Sequence, residues 1–488
     1  MPQRTPSPSR RSLVVLVALF AIAAAGWAWA IPPFEKPDEL GHFAYARFVA
    51  TEHRLPVQGQ DGPWVEAEDQ QPPAYYVVSA LVWRTARLLG VSDVPLSEIR
   101  LAPAYEQPDA SPPNRVRYVQ PLSRRDRCGR SPCGVLLLRG LSLALFALGL
   151  PALHRIAQAA FGGAAGLSLA AVALAAFVPQ VTFIASSISN DGSAAAWAAV
   201  LTAMLLRPAP ADGRAARRHA AAFGVMLGLG SLVKSTLLPL WPLVVFVRPP
   251  RGDARRATRL GLVALAAGLA VLAALPWAAR NVVLYGSVLA NAEAVRPEDF
   301  AWNLSPKSLF SSYFVSQFPW LLARSTWGLF GMMNALLPPT VYLAWRTLLQ
   351  LAGAGLVLHL GRRLMARRGR GAGDGVSRHA AFDPEPRTLA VLASAIGLTV
   401  AGLVYYNLQV TQPQGRYLFP ALGPLACAVV LGLAELAHQA RLVAARLLGV
   451  GAPHAAGRWA PFGAWAVVVA LAGINLATLA WVVATYYP

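Results

Sequence analysis

Apolar residues in this chain gather in long unbroken runs, separated by short polar or Arg-rich stretches. Eleven runs stand out: 13–31, 135–154, 161–179, 187–206, 219–233, 235–248, 260–279, 338–361, 388–406, 416–437 and 462–484. An α-helix needs about 20 apolar residues to cross a hydrocarbon layer, and most of these runs approach that length. The pattern predicts an all-α, polytopic membrane protein with about 11 transmembrane helices. The stretch 219–248 reads either as two short helices broken around Lys234 or as one long kinked helix. Residues 74–90 are apolar enough for a short span. Arg84 and Arg87 in the second half can reach headgroups, which favours an interfacial or re-entrant helix.

Composition agrees with a membrane class. The 488 residues are 56% hydrophobic and only 14% charged, where a soluble chain carries about a quarter. The formal net charge of +20 raises the question of nucleic acid. The Arg residues answer it, because they sit in short clusters between apolar runs, where membrane topology places them. With the N-terminus in the cytoplasm, the clusters Arg214/Arg217/Arg218, Arg251/Arg255/Arg256/Arg259 and Arg362/Arg363/Arg367/Arg368/Arg370 share one side, and most acids share the other. Making 74–90 a span would invert that asymmetry. The expected organisation is a tail (1–12), a retained first helix (13–31), an external loop (32–134), a helical bundle (135–279), a second external loop (280–337) and a C-terminal bundle (338–488). The last contains an Arg/Gly-rich cytoplasmic loop at 362–387. Of the three Cys, Cys427 reads as core. Cys128 and Cys133 lack metal-ligand company and read as a small disulfide loop.

The polar residues within and beside the runs collect on the external side. They are Asp38, Glu39 and His42 after the first run; Gln71 before Tyr75 and Tyr76; Asn190 and Asp191 opening a run; Arg280 closing one; and Arg416 and Tyr417 opening another. Lys234 joins them if 219–248 is two helices. A carboxylate can act as general base on a hydroxyl, and Arg and Lys can hold phosphate. An apolar groove among helices can hold a lipid tail. Simpler roles compete: Asp38 and Asn190 are good helix caps, and Arg280 and Arg416 are good interfacial anchors. Asp38 and Glu39 also carry oxygen ligands for a divalent cation.

The run Pro37-Asp38-Glu39-Leu40-Gly41-His42-Phe43-Ala44-Tyr45 resembles the first external loop of the GT-C superfamily of membrane glycosyltransferases, in particular the protein O-mannosyltransferase and aminoarabinose transferase branch. Pro32 to Phe43 is similar to the Pro-Pro-x-x-x-Pro-Asp-Glu-x-x-His-Phe motif of a related bacterial family of membrane proteins of unknown function. Further matches run in the same order: Gln71-Pro72-Pro73-Ala74-Tyr75-Tyr76, Ser189-Asn190-Asp191, Leu232-Val233-Lys234-Ser235-Thr236, Trp277 to Gly286, Phe330-Gly331 and Gly415-Arg416-Tyr417-Leu418-Phe419-Pro420. The resemblance implies the GT-C fold, with interfacial helices in the first external loop. It also implies an inverting transfer from a polyprenyl-phosphate sugar, with Asp38 as general base, Glu39 as its partner, and phosphate contacts from Lys234 and Arg416. Gln71 departs from that pattern, since the sugar transferases often carry His or Lys before Pro-Pro.

The resulting expectation is a glycosyltransferase of the bacterial cytoplasmic (inner) membrane, with its site facing outside. Asp38 and Glu39 are catalytic. His42, Gln71, Asn190, Asp191, Lys234, Arg280, Arg416 and Tyr417 bind substrate. The partners are membrane lipid, a polyprenyl-phosphate-linked sugar and an acceptor that is a glycan, lipid or protein, with no nucleic acid. A divalent cation on Asp38 and Glu39 stays open. The alternative is a transporter or flippase of a lipid-linked saccharide.

Overall fold

The computed structural model describes residues 10–94, 96–101, 118–119, 132–253, 255–300, 304, 307–368, 384–449 and 461–487. Cys128, and with it the expected Cys128–Cys133 loop, lies outside them. Cys427 is a buried free thiol.

The described residues are almost entirely helical. The region after α1 (Arg10–Ala30) holds α2 (Glu39–Glu52), α3 (Pro63–Glu66) and α4 (Ala74–Leu88). The bundle continues with α5 (Pro132–Ala147), α6 (Leu150–Ala160), α7 (Ala165–Phe177), α8 (Pro179–Ala185), α9 (Asp191–Leu205), α10 (Gly213–Val233) and α11 (Arg256–Tyr285). The region after α11 carries α12 (Ala292–Val295) and α13 (Phe318–Trp327). The chain then runs through α14 (Pro339–Arg368), α15 (Pro386–Asn407), α16 (Leu422–Leu447) and α17 (Pro461–Tyr486). The few strand residues form two short antiparallel pairs, Arg100–Leu101 with Tyr118–Val119 and Leu329–Phe330 with Ala335–Leu336.

Each of the eleven predicted runs overlaps a helix, though 161–179 opens in a turn and breaks at Val178 and 187–206 becomes helical only at Asp191. Seven helices are long and apolar enough to cross a membrane among the described residues, or eight if the bent α7–α8 pair is one span. That pair bends by 61°. The cause is Pro179, whose ring disfavours the helical region for Val178; Val178 accordingly takes ψ 124°. Predicted run 135–154 extends through α6 as one apolar stretch, Gly134–Ala160.

The 219–248 ambiguity resolves into two segments. α10 ends at Val233, Lys234 is extended (φ −159°, ψ 139°), and a 3-10 helix runs Ser235–Phe246. Pro239 and Pro242 lie inside that helix. Proline lacks the N–H for an α-type bond and crowds the preceding turn, so the tighter i→i+3 pattern persists.

Helix contacts depend on small residues. At Gly224 and Gly228 of α10, an added Cβ would sit 2.2 Å from the carbonyl oxygens of Ala266 and Ala270 on α11. This is the small-xxx-small approach that lets two apolar helices touch backbone to backbone. The largest buried cluster joins α1, α5–α9, α14, α16 and α17. Within it Asn475 accepts from the Trp27 indole at 2.9 Å and donates to Thr182 Oγ1 at 2.8 Å and Phe177 O at 3.0 Å. A single amide thus ties α17 to α1 and to the α7–α8 bend.

Candidate active site

Asp38 and Asn190 stand where helix caps are expected, and neither side chain caps its helix. Asp38 adopts a left-handed backbone (φ 58°, ψ 5°), a conformation that Asp tolerates better than most residues. Its carboxylate turns away from the α2 amides and meets the Arg416 guanidinium. Arg416 Nη1 lies 3.3 Å from Asp191 Oδ2, and Lys234 Nζ lies 2.8 Å from Asp191 Oδ1. Lys234 also donates to Asn190 Oδ1 at 2.7 Å, and Asn190 Nδ2 donates to Gln71 Oε1 at 3.1 Å. A continuous chain of polar contacts therefore runs Asp38–Arg416–Asp191–Lys234–Asn190–Gln71, joining residues as far as 378 positions apart in sequence.

Local structure explains how each group arrives. Lys234 projects from the extended residue between α10 and the 3-10 helix. Asp191 is the first residue of α9, and Ser189 Oγ donates to its Oδ2 at 2.9 Å. Arg416 follows Gly415, whose N–H donates to Ser325 Oγ at 2.8 Å. A Cβ at Gly415 would stand 2.4 Å from the Thr326 nitrogen, so only glycine lets this turn press against α13. Gln414 accepts from Arg416 Nε at 2.6 Å and holds the guanidinium plane.

The second half of the site lies beside Asp38. Asp38, His42 and Glu68 each present one potential ligand atom, all within 4.8 Å of one another. His42 Nδ1 is 2.7 Å from the Tyr76 hydroxyl and 3.7 Å from Glu68 Oε2. Burial, and then the Lys234 charge, bring the His42 imidazole down to about 3, so it is neutral at ordinary pH. Burial, and then the Asp38 charge, hold the Glu68 carboxyl well above the usual carboxylate range. Desolvation also pushes Asp38 upward, but the Arg416 charge and hydrogen bond outweigh it, and the net direction is down. The cluster thus sets Asp38, drawn toward its ionised form by Arg416, beside Glu68, pushed toward its protonated form by burial and the Asp38 charge. Two carboxyls this close separate their proton affinities.

Glu39 departs from the expectation of a catalytic or metal-binding partner. Its side chain is fully buried and turns the other way. Arg139 Nε and Nη2 donate to it at 2.7 and 2.6 Å, and the backbone amides of Phe34 and Ile188 at 2.9 and 3.0 Å. Four donors saturate the two oxygens, leaving none for an acceptor or a cation. Arg139 spends its remaining donors on the carbonyls of Ala28, Ile31 and Pro32. The pair therefore fastens the end of α1 to α5 and to the turn before α9.

Arg280 also stands apart. It donates to Pro56 O at 2.6 Å and stacks on Trp277 with 5.1 Å to the ring. It makes no hydrogen bond or ion pair to the Asp38–Lys234 network. Tyr417 is adjacent to the network: its ring lies 5.6 Å from the Arg416 guanidinium, and its hydroxyl donates to Gln412 Oε1 at 2.5 Å. Sequence reasoning overlooked Arg139 and Glu68. Arg139 had a visible signal, a charge inside a predicted span. Glu68 had none, being one acid among several in a polar loop.

No protein-family model matches the chain, and no curated protein matches it. Among solved structures, it is similar to ArnT from Cupriavidus metallidurans bound to undecaprenyl phosphate. That match has 14% identity and a TM-score of 0.45, and covers 98% of this chain and 72% of that one. It is also similar to the Archaeoglobus fulgidus oligosaccharyltransferase tethered to an acceptor peptide with the NVT sequon. There the identity is 13% and the TM-score 0.46, with 97% and 55% of the two chains covered. The complex of that oligosaccharyltransferase with Zn and sulfate matches at 12% identity and TM-score 0.45, covering 94% and 53%. This chain therefore spans little more than half the length of the oligosaccharyltransferase.

Proposed function

We propose that the chain is an inverting glycosyltransferase of the GT-C type. It moves a sugar from a polyprenyl-phosphate donor to an acceptor hydroxyl or amide at the external face of a bacterial cytoplasmic membrane. The observation that carries this reading is the Asp38–Arg416–Asp191–Lys234 chain. It places one ionised carboxylate, 33% exposed, next to two cations whose side chains are 7% and 6% exposed.

The chemistry needs three things. A base must take the acceptor proton as the acceptor atom attacks the anomeric carbon, and Asp38 is ionised and accessible enough to do so. The bond from that carbon to the phosphate oxygen breaks on the opposite sugar face, which inverts the centre. The phosphate leaves with one more negative charge, and preorganised cations stabilise that developing charge most effectively where water is scarce. Lys234 and Arg416 supply it, and Asp191 between them keeps both in place before the donor arrives.

The Asp38, His42 and Glu68 donors suit a divalent cation: two carboxylates and a neutral imidazole. Such an ion would supply extra positive charge for a bound phosphate. With Glu68 ionised, it would offset both that carboxylate and the donor's single charge.

The test is Asp38→Asn in protein reconstituted with a polyprenyl-phosphate-linked sugar and a hydroxyl acceptor. A folded variant losing about 10²–10⁴-fold in transfer supports the assignment. Retained turnover sinks it. A wild-type protein that moves the lipid-linked sugar across the bilayer equally well with Asn at position 38 favours the transporter reading instead.

A further inference from the structure

The far end of the bundle holds a second polar feature, independent of any transfer chemistry. α9 leaves the site at Asp191, and α10 returns to it at Val233, next to Lys234. Their opposite ends lie about 22 Å away along 15 residues of α9. There they flank a cavity of about 390 Å³ lined by Met204, Arg207, Asp212, Arg214, Arg218 and His219, among others.

The charge balance of this cavity is the reverse of the site's. Among the described residues, the side chains of Arg207, Arg214 and Arg218 have no carboxylate and no hydrogen-bond acceptor. Asp212, the acid in the wall, accepts from Ala215 N at 2.8 Å and caps α10. Three carbonyls near the cavity accept from other arginines. Arg387 donates to Leu205 O at 2.6 Å and to Phe246 O, and Arg248 donates to Arg207 O at 3.4 Å. What remains is three free guanidinium forks, Arg214 and Arg218 in the first two turns of α10 and Arg207 just past the end of α9, a combination that selects phosphate-like anions.

An apolar track leads away from the cavity. Ala222 contributes to its wall, and Val225 (38% exposed) and Leu229 (37% exposed) continue along the same α10 face. A soluble anion needs no such track, whereas an acyl chain does. We propose that this cavity binds the phosphate headgroup of an anionic phospholipid, with one acyl chain lying along Ala222, Val225 and Leu229. The site is remote from Asp38 and holds lipid whether or not sugar transfer is the activity.

Native mass spectrometry of the full chain released from detergent tests this. Phosphatidylglycerol and phosphatidylcholine of matched chains are offered in equal amounts. The expected result is selective retention of phosphatidylglycerol, weakened about tenfold or more by Arg207→Gln/Arg214→Gln/Arg218→Gln. Arg217→Gln alters a neighbouring exposed arginine outside the cavity wall and leaves retention unchanged. If the triple variant is poorly folded, Arg214→Gln alone carries the comparison, with a several-fold loss expected. Equal retention of both lipids overturns the proposal, as does undiminished retention in either cavity variant. Displacement of the lipid by millimolar inorganic phosphate also overturns it, since the cavity would then be a site for a soluble anion.

Discussion

Asp38 and Glu39 are neighbours in sequence with opposite fates, and the contrast separates architecture from chemistry. Glu39 enters a knot in which every donor and acceptor is matched: Arg139 and two backbone amides on the carboxylate, three carbonyls on the guanidinium. Nearby Lys36 is fully buried and donates to Ser186 O at 2.6 Å, Ser186 Oγ at 2.7 Å and Phe183 O at 3.3 Å. Asp38 instead joins a chain in which Arg416 and Lys234 share one carboxylate between them, with a neutral His42 and a Glu68 pushed toward its protonated form alongside. A saturated cluster holds elements together. A cluster with shared partners can exchange them for a substrate.

The largest expected effect breaks this contrast if it fails. Asp38→Asn removes transfer by the two to four decades given above while lowering the melting temperature less than Glu39→Gln does, because the Asp38 side chain is partly exposed and Arg416 keeps Asp191 as a partner. Glu39→Gln does the reverse. Removing one member of a buried ion pair costs about 3–5 kcal/mol, so thermal unfolding in detergent shows a lower midpoint while each folded molecule turns over normally. The Glu39 carboxyl is held below its usual range, chiefly because Arg139 outweighs the cost of burial. Its stabilisation is therefore present above the unfolded-state value and lost as pH falls through the folded one. A normal midpoint with lost activity in Glu39→Gln would place Glu39 in the chemistry after all.

Lys234→Gln is expected to weaken donor use by about ten- to a hundredfold, read as kcat/KM, since one charged hydrogen bond to phosphate contributes about 1.5–3 kcal/mol. Lys234→Arg should recover part of it. The smallest effect concerns pH. Glu68 must lose a proton to ligate a cation, and its carboxyl is held high by burial and Asp38. Affinity for Mn²⁺ or Zn²⁺ measured by calorimetry should thus rise with pH, by up to about tenfold per unit, with one proton released. In Glu68→Gln this slope disappears. A pH-independent affinity in the wild type would argue against Glu68 as a ligand.

Much of the fold was legible because apolar runs and Arg clusters report a membrane solvent directly. Each run overlaps a helix, seven or eight of the described helices being long and apolar enough to cross a membrane, and the break at Lys234 was one of the two readings the residues allowed. The bend at Val178–Pro179 was legible in principle from the proline. Asp38, Asp191, Lys234 and Arg416 could be grouped because each was a charge at the edge of an apolar run on one predicted side. Glu39 could not be separated from Asp38 by sequence. Adjacent residues on a helix start point in different directions, and which one meets Arg139 depends on packing between α2 and α5. Arg280 could not be set apart from the network for a related reason: a cation at a helix end looks the same whether it joins Asp191 or the carbonyl of Pro56.

The 3-10 segment after Lys234 bears on reach. Twelve residues wound as an α-helix would extend about 18 Å, whereas the 3-10 form extends about 24 Å. Pro239 and Pro242 thus act as spacers, letting a short apolar stretch reach further while Lys234, just before it, stays against Asp191. Rewound as an α-helix, the segment would be about 6 Å short, roughly one helical turn. Lys234 would then have to leave Asp191, or the opposite end would have to be drawn into the lipid.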